Sequence, residues 1–111
     1  MIILFEDVDF PEQCNNDKLL KRYQGELRAK KIRRRLDDLK AASTLSAMKS
    51  LPGRCHELKG DHHGLLSLDL DHPWRLIFAP ADVPPAIKND GVLDWENVQV
   101  VKILRIEDTH D

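Results

Sequence analysis

The apolar positions of this chain change their period once, near residue 54. Before that point Leu20, Tyr23 and Leu27 step by three and four, and Ile32, Leu36 and Leu39 do the same on a shifted frame. Such spacing lines one face of a helix. Gly25 lies between the frames and predicts a break, so the reading is one helix near 17–24 and a longer one near 26–42, packed as a hairpin. Asn16 or Asp17 supplies the N-cap, because a short polar side chain can accept from the first orphan backbone N–H groups. Residues 1–5 are β-rich and predict a short first strand. Pro11 and the polar Gln13-Cys14-Asn15-Asn16-Asp17 follow as a connection. Ser43 or Thr44 caps one further turn through Met48, and Pro52-Gly53 ends the helical region.

From residue 54 the period is two. Leu66, Leu68 and Leu70 alternate with Ser67 and Asp69, and Trp74, Leu76 and Phe78 alternate with Arg75 and Ile77. Val98, Val100, Val101, Ile103 and Leu104 are apolar enough for a central strand. Gly60-Asp61-His62-His63-Gly64 reads as a hairpin loop, and Asp71-His72-Pro73 as a tighter turn. Residues 79–96, with Pro80, Pro84, Pro85 and Gly91, form a long connection of a kind that is either functional or mobile. The fold class is therefore α+β: an N-terminal helical hairpin packed on a twisted antiparallel sheet. Residues 1–50 are mainly helical after the first strand and residues 54–111 form the sheet, all in one domain, as 111 residues suggest.

Composition narrows the class. No run approaches the length of a membrane span, and the apolar start is too short and lacks the basic residues of a signal peptide. Cys14 and Cys55 without a secretion signal read as reduced thiols, so the expected location is cytoplasmic, with no membrane contact. The net charge of −2 conceals a partition. Residues 18–40 hold ten Lys/Arg against three Asp/Glu, and the remainder is strongly acidic. Within 28–35, Arg28, Lys30, Lys31, Arg33, Arg34 and Arg35 are all basic. Lys30, Lys31, Arg34 and Arg35 are candidate RNA-binding residues, since such a stripe neutralises phosphates and releases counterions. The competing reading is a solvated helix face.

Five histidines raise metal binding, but His62 and His63 are adjacent in a turn and would point apart. No ligand motif of zinc spacing accompanies them, so neither metal nor other cofactor is expected. His56, Lys59, Arg75, Asp108 and His110 form an RNA-cleaving set in chemical terms. Attack by the ribose 2′-OH needs a base for its proton, an acid for the leaving 5′-oxygen and cations for the crowded phosphate. Histidine titrates near neutrality and serves either role. An arginine fork spans two phosphate oxygens, and lysine adds a point charge. The alternative is that these are ordinary polar residues at strand edges on a wet face.

Several motifs resemble the RelE/ParE toxin superfamily, most closely its HigB-like "killer" branch. His56 to Ser67 reads His-x-Leu-Lys-Gly-Asp-x-x-Gly-x-x-Ser, Trp74 to Phe78 reads Trp-Arg-Leu-x-Phe, and the tail reads Glu107-Asp108-Thr109-His110. Arg35 to Leu39 and Pro52-Gly53 also fit the pattern. The resemblance covers roughly residues 26–111. It implies a type II toxin–antitoxin toxin acting as a ribosome-dependent mRNA endonuclease that inhibits translation. It also implies mRNA in the ribosomal A site as substrate and a HigA-like helix-turn-helix antitoxin as partner. By the same resemblance His56, Asp108 and His110 are the polar catalytic positions, and Lys59 and Arg75 contact the scissile phosphate. Thr109 stands where the family commonly has tyrosine, which leaves a second class open, a catalytically impaired antitoxin-binding module. A third, the gyrase-poisoning ParE branch, shares the fold but not the terminal Asp-x-His.

Overall fold

The computed structural model describes residues 1–108. Strand β1 spans Ile2–Phe5, helices α1, α2 and α3 span Asp9–Cys14, Asp17–Gln24 and Glu26–Ala41, and a 3-10 turn covers Leu45–Ser50. Strands β2 (His56–Glu57), β3 (Leu66–Asp69), β4 (Trp74–Pro80) and β5 (Val100–Asp108) follow, with a second 3-10 turn, Gly60–His62, between β2 and β3. The sheet order is β1-β5-β4-β3-β2.

The α+β class is the one expected, with one difference in the sheet. β2 to β5 pair antiparallel, but β1 joins β5 in parallel, Ile2 opposite Val100 and Phe5 opposite Ile103. The sheet is therefore mixed. Strand-forming residues at the start of a chain reveal a strand but not its direction beside a partner nearly a hundred residues away.

The helix boundaries follow local chemistry. Asn16 Oδ1 accepts from the N–H groups of Lys18 and Leu19, capping α2. Gly25 ends α2 and begins α3 at φ +82°, a conformation glycine adopts without the Cβ clash of other residues. The short α1 lies where the sequence suggests a connection. Pro11 sits in the first turn, where its missing N–H has no intrahelical acceptor to lose.

One face of the sheet carries Leu66, Leu68, Leu76, Phe78, Val101 and Ile103, and Leu20, Ala29, Ile32 and Leu39 of the helices pack against it. Tyr23 and Leu27 do not join this core. They are 65% and 61% exposed, which corrects the expected buried face of the first helical frame. Leu45 and Met48 of the first 3-10 turn close the core's edge. In the long connection, Ile87 and Leu93 form an antiparallel bridge, and Trp95 donates from Nε1 to Glu57 at 3.0 Å. Among the described residues no helix is long and apolar enough to cross a membrane.

Candidate active site on the sheet face away from the helices

Alternation sends every second residue of the strands to the face opposite the helices. The register then aligns them. His56, Ser67, Ile77 and Arg105 form one row across β2, β3, β4 and β5, and Asp69, Arg75 and Glu107 form the next. His56 and Arg75 are thus brought to one face, as the alternation of Trp74 and Arg75 implies. Leu58, buried and outside the helix-side core, lies on the same alternation as His56.

The hydrogen bonds define proton positions. His56 Nδ1 lies 2.7 Å from Arg54 O. A carbonyl oxygen can only accept, so Nδ1 carries the hydrogen, and Nε2 is the nitrogen that holds the lone pair whenever the ring is neutral. That is the state a general base requires. His62 Nε2 lies 3.1 Å from Glu107 Oε1, and Arg105 Nε donates to Glu107 Oε2 at 2.5 Å. The Arg105 hydrogen bond, with that of His62 behind it, holds the Glu107 carboxyl below the usual glutamate range. Since the folded value is the lower one, the pairing adds stability above the unfolded glutamate's pKa and loses it as pH falls through the folded value. Glu107→Gln should therefore flatten the fall of the melting temperature below the ordinary glutamate value of 4.5, as acid titrations of both proteins would record.

Arg75 is 6% exposed, with its Nε 3.3 Å from Asp69 Oδ1. Arg54 Nε lies 3.1 Å from the other oxygen of the same carboxylate. Ser67 Oγ is buried in the His56 row with no hydrogen-bond partner among the described residues. Lys59 is exposed at the entry to the second 3-10 turn and its carbonyl accepts from His62 N at 3.3 Å.

Asp108 pairs in register with Trp74, so strand alternation gives it the face of Leu76 and Ile106 rather than that of Arg75. Glu107, opposite Arg75, is the tail carboxylate on the His56 face. Sequence reasoning quoted Glu107 within the tail motif but assigned the role to Asp108. His110 and Thr109 lie outside the described residues. Arg54, His62, Asp69 and Arg105 were also missed. Their signal was positional, two residues from His56, Ser67 or Glu107 on an alternating strand, or in the loop between β2 and β3.

The basic stripe of α3 divides. Arg35 is corrected outright: it is 5% exposed, donates from Nε to Asp69 O at 2.8 Å, and does not belong to an RNA-facing surface. Arg28 grips both oxygens of Asp71 at 2.8 and 3.1 Å and stacks over Trp74, 4.4 Å from the ring centroid. Arg33 pairs with Asp17. Lys30, Lys31 and Arg34 remain on the outer side, where with Leu27 they line a shallow depression, and none of the three forms an ion pair among the described residues.

No group of three His, Cys, Asp or Glu among the described residues is arranged to hold a metal ion. Cys14 and Cys55 are free, and burial pushes their thiols to about 11 and about 12, so neither is a thiolate nucleophile near neutral pH.

No protein-family profile and no curated protein matches the sequence. Solved structures do match. A YoeB/ParE toxin from Agrobacterium tumefaciens superposes with a TM-score of 0.60 at 12% identity, covering 99% of this chain and 100% of that one. The YoeB dimer from Staphylococcus aureus gives 0.58 at 17% identity, with 99% and 98% covered. The YoeB–YefM complex from the same organism gives 0.56 at 15%, with 99% and 98% covered. The chain therefore has the fold of the YoeB/ParE toxins.

Proposed function

We propose that residues 1–111 act as one domain, the toxin of a type II toxin–antitoxin pair, cutting mRNA in the ribosomal A site in the manner of the HigB-like branch. The observation that carries this reading is the tautomer of His56. Its Nδ1 is committed to Arg54 O, which leaves Nε2 as base on the same sheet face as the arginine fork of Arg75.

The chemistry runs as follows. His56 Nε2 takes the proton of a ribose 2′-OH, and the oxygen attacks the adjacent phosphorus. Arg75 and Lys59 stabilise the negative charge that grows on the phosphate oxygens. The bond to the 5′-oxygen breaks, and His110 gives that oxygen its proton. The products are a 2′,3′-cyclic phosphate and a 5′-hydroxyl. Substrate and ribosomes make the cytoplasm the working compartment, and no cofactor is needed. The YoeB–YefM complex is of a toxin of this fold with a protein partner. For this chain we assign a HigA-like helix-turn-helix antitoxin.

A second reading, a catalytically impaired module that only binds antitoxin, draws on Thr109 and on the burial of Arg75 against Asp69. Gyrase poisoning of the ParE type is disfavoured by the Asp108-Thr109-His110 tail. Induced expression separates the classes: growth arrest with cleaved mRNA supports the first, and no growth effect together with antitoxin binding supports the second.

Lys30, Lys31 and Arg34 are the RNA- or ribosome-facing cations of this proposal. Reversing all three to Glu should weaken ribosome association independently of mRNA sequence and make its salt dependence shallower. Unchanged ribosome association with lost antitoxin binding would assign the stripe to the antitoxin instead. If neither changes, the stripe is a solvated face.

A further inference from the structure

Arg54 is the one non-glycine among the described residues with a positive φ, +50°. Left-handed backbone disfavours a long side chain, and glycine or asparagine fits it better. The turn that imposes it is fixed from both sides. Gly53 precedes it at φ +113°, and a Cβ there would lie 2.7 Å from Arg35 Nε, so the chain must pass close to the buried arginine. Gly53 O also accepts from Asp69 N at 2.7 Å, and Arg35 Nε donates to Asp69 O. The backbone conformation at position 54 is therefore dictated by its neighbours. An arginine at that position runs against local preference, which directs attention to its side chain.

That side chain reaches the His56 face. Its Nε meets Asp69 Oδ2, while Arg75 Nε meets Asp69 Oδ1, so the two guanidinium groups flank a single carboxylate. They differ in access. The Arg75 side chain is nearly enclosed, whereas that of Arg54 is 59% exposed. Arg54, Asp69, His72, Trp74 and Arg75 line a cavity of about 280 Å3 at the turn end of β3 and β4. The cavity offers guanidinium donors, an imidazole and one carboxylate, a chemistry suited to an oxyanion.

We propose that this cavity is a second phosphate subsite, with Arg54 as its accessible donor, binding the RNA phosphate next to the scissile one. The proposal rests on the RNA-cleaving function above. The Arg54 carbonyl fixes the His56 tautomer from the same residue, so the turn couples the base to the strand it cuts. An RNA strand crossing from the His56 row to the adjacent Arg75 row would offer consecutive phosphates to the two forks.

Arg54→Asn is the decisive variant, because asparagine tolerates left-handed backbone and keeps the carbonyl that holds His56. Binding of a short single-stranded RNA, made uncleavable by 2′-deoxy substitution, is measured over a range of salt for wild type, Arg54→Asn and Arg54→Lys. Arg54→Asn should keep its melting temperature, bind more weakly at low salt, and lose about 0.7 from the slope of log K against log salt. Arg54→Lys should keep the wild-type slope. An Arg54→Asn protein with wild-type affinity and slope overturns the subsite while leaving the RNA-cleaving reading intact. Absence of salt-dependent RNA binding by the wild type overturns the subsite, while the ribosome-dependent cleavage reading stands or falls on cleavage of mRNA by induced protein.

Discussion

His56→Ala should abolish RNA cleavage and leave the fold in place. General-base catalysis typically contributes roughly a hundred- to ten-thousand-fold in rate, and a loss in that range is expected here. His56 is half-buried at the start of a two-residue edge strand, and among the described residues its ring bonds to a carbonyl two residues away. Truncation therefore removes little packing. Circular dichroism and the melting temperature should stay near those of wild type, while cleavage measured on translating ribosomes falls to background. His56→Gln should fail similarly, since an amide can hydrogen-bond but cannot take up the proton. Full activity in a folded His56→Ala protein removes His56 from the chemistry.

Arg75 has the second large effect, and two substitutions are needed to read it. Arg75→Ala removes the buried partner of an ion pair whose other member, Asp69, is partly exposed. Losing a partner in a fully buried pair costs about 3–5 kcal/mol. Asp69 keeps some access to water, so about 2–3 kcal/mol is expected, seen as a fall in the denaturation midpoint. Arg75→Lys keeps the charge but not the planar fork. It should retain most of the stability and lose most of the cleavage. Wild-type cleavage in a folded Arg75→Lys protein would make Arg75 a structural residue and move the phosphate contact to exposed cations such as Lys59.

The helices were legible because their punctuation is local. Asn16 and Gly25 fix the ends of α2 and the start of α3 through side-chain capping and a single permitted dihedral. The strands were legible from period two, and the alternation of Trp74 and Arg75 correctly separated the two faces of β4. What failed was less local. Arg35 was grouped with the surface cations by composition, yet Arg28, Ile32, Arg35 and Leu39 step by four, three and four along one stripe. Weighing that spacing would have turned Arg35 inward, where its stem packs beside Gly53 and its Nε finds the Asp69 carbonyl. Tyr23 and Leu27 erred the other way, because helical spacing marks a face without saying that anything covers it.

The site showed the same division. His56 and Arg75 could be brought together from motif and alternation. The partnership of Glu107 with His62 and Arg105 depends on strand register and on how the Gly60–His62 turn sits beside β5, and neither is encoded by short-range spacing. Choosing between Asp108 and Glu107 requires knowing that Trp74 pairs with Asp108. A one-residue difference in register exchanges the two faces of a strand.

The central claim is that this chain cuts RNA through the 2′-OH. Its most direct test is to map the chemistry of new mRNA ends after induction of wild type and His56→Ala at matched protein levels. The account predicts 5′-hydroxyl ends and matching 2′,3′-cyclic phosphates within translated reading frames for the wild type, and none above background for His56→Ala. Growth arrest without new ends, or the same ends from both proteins, would contradict it.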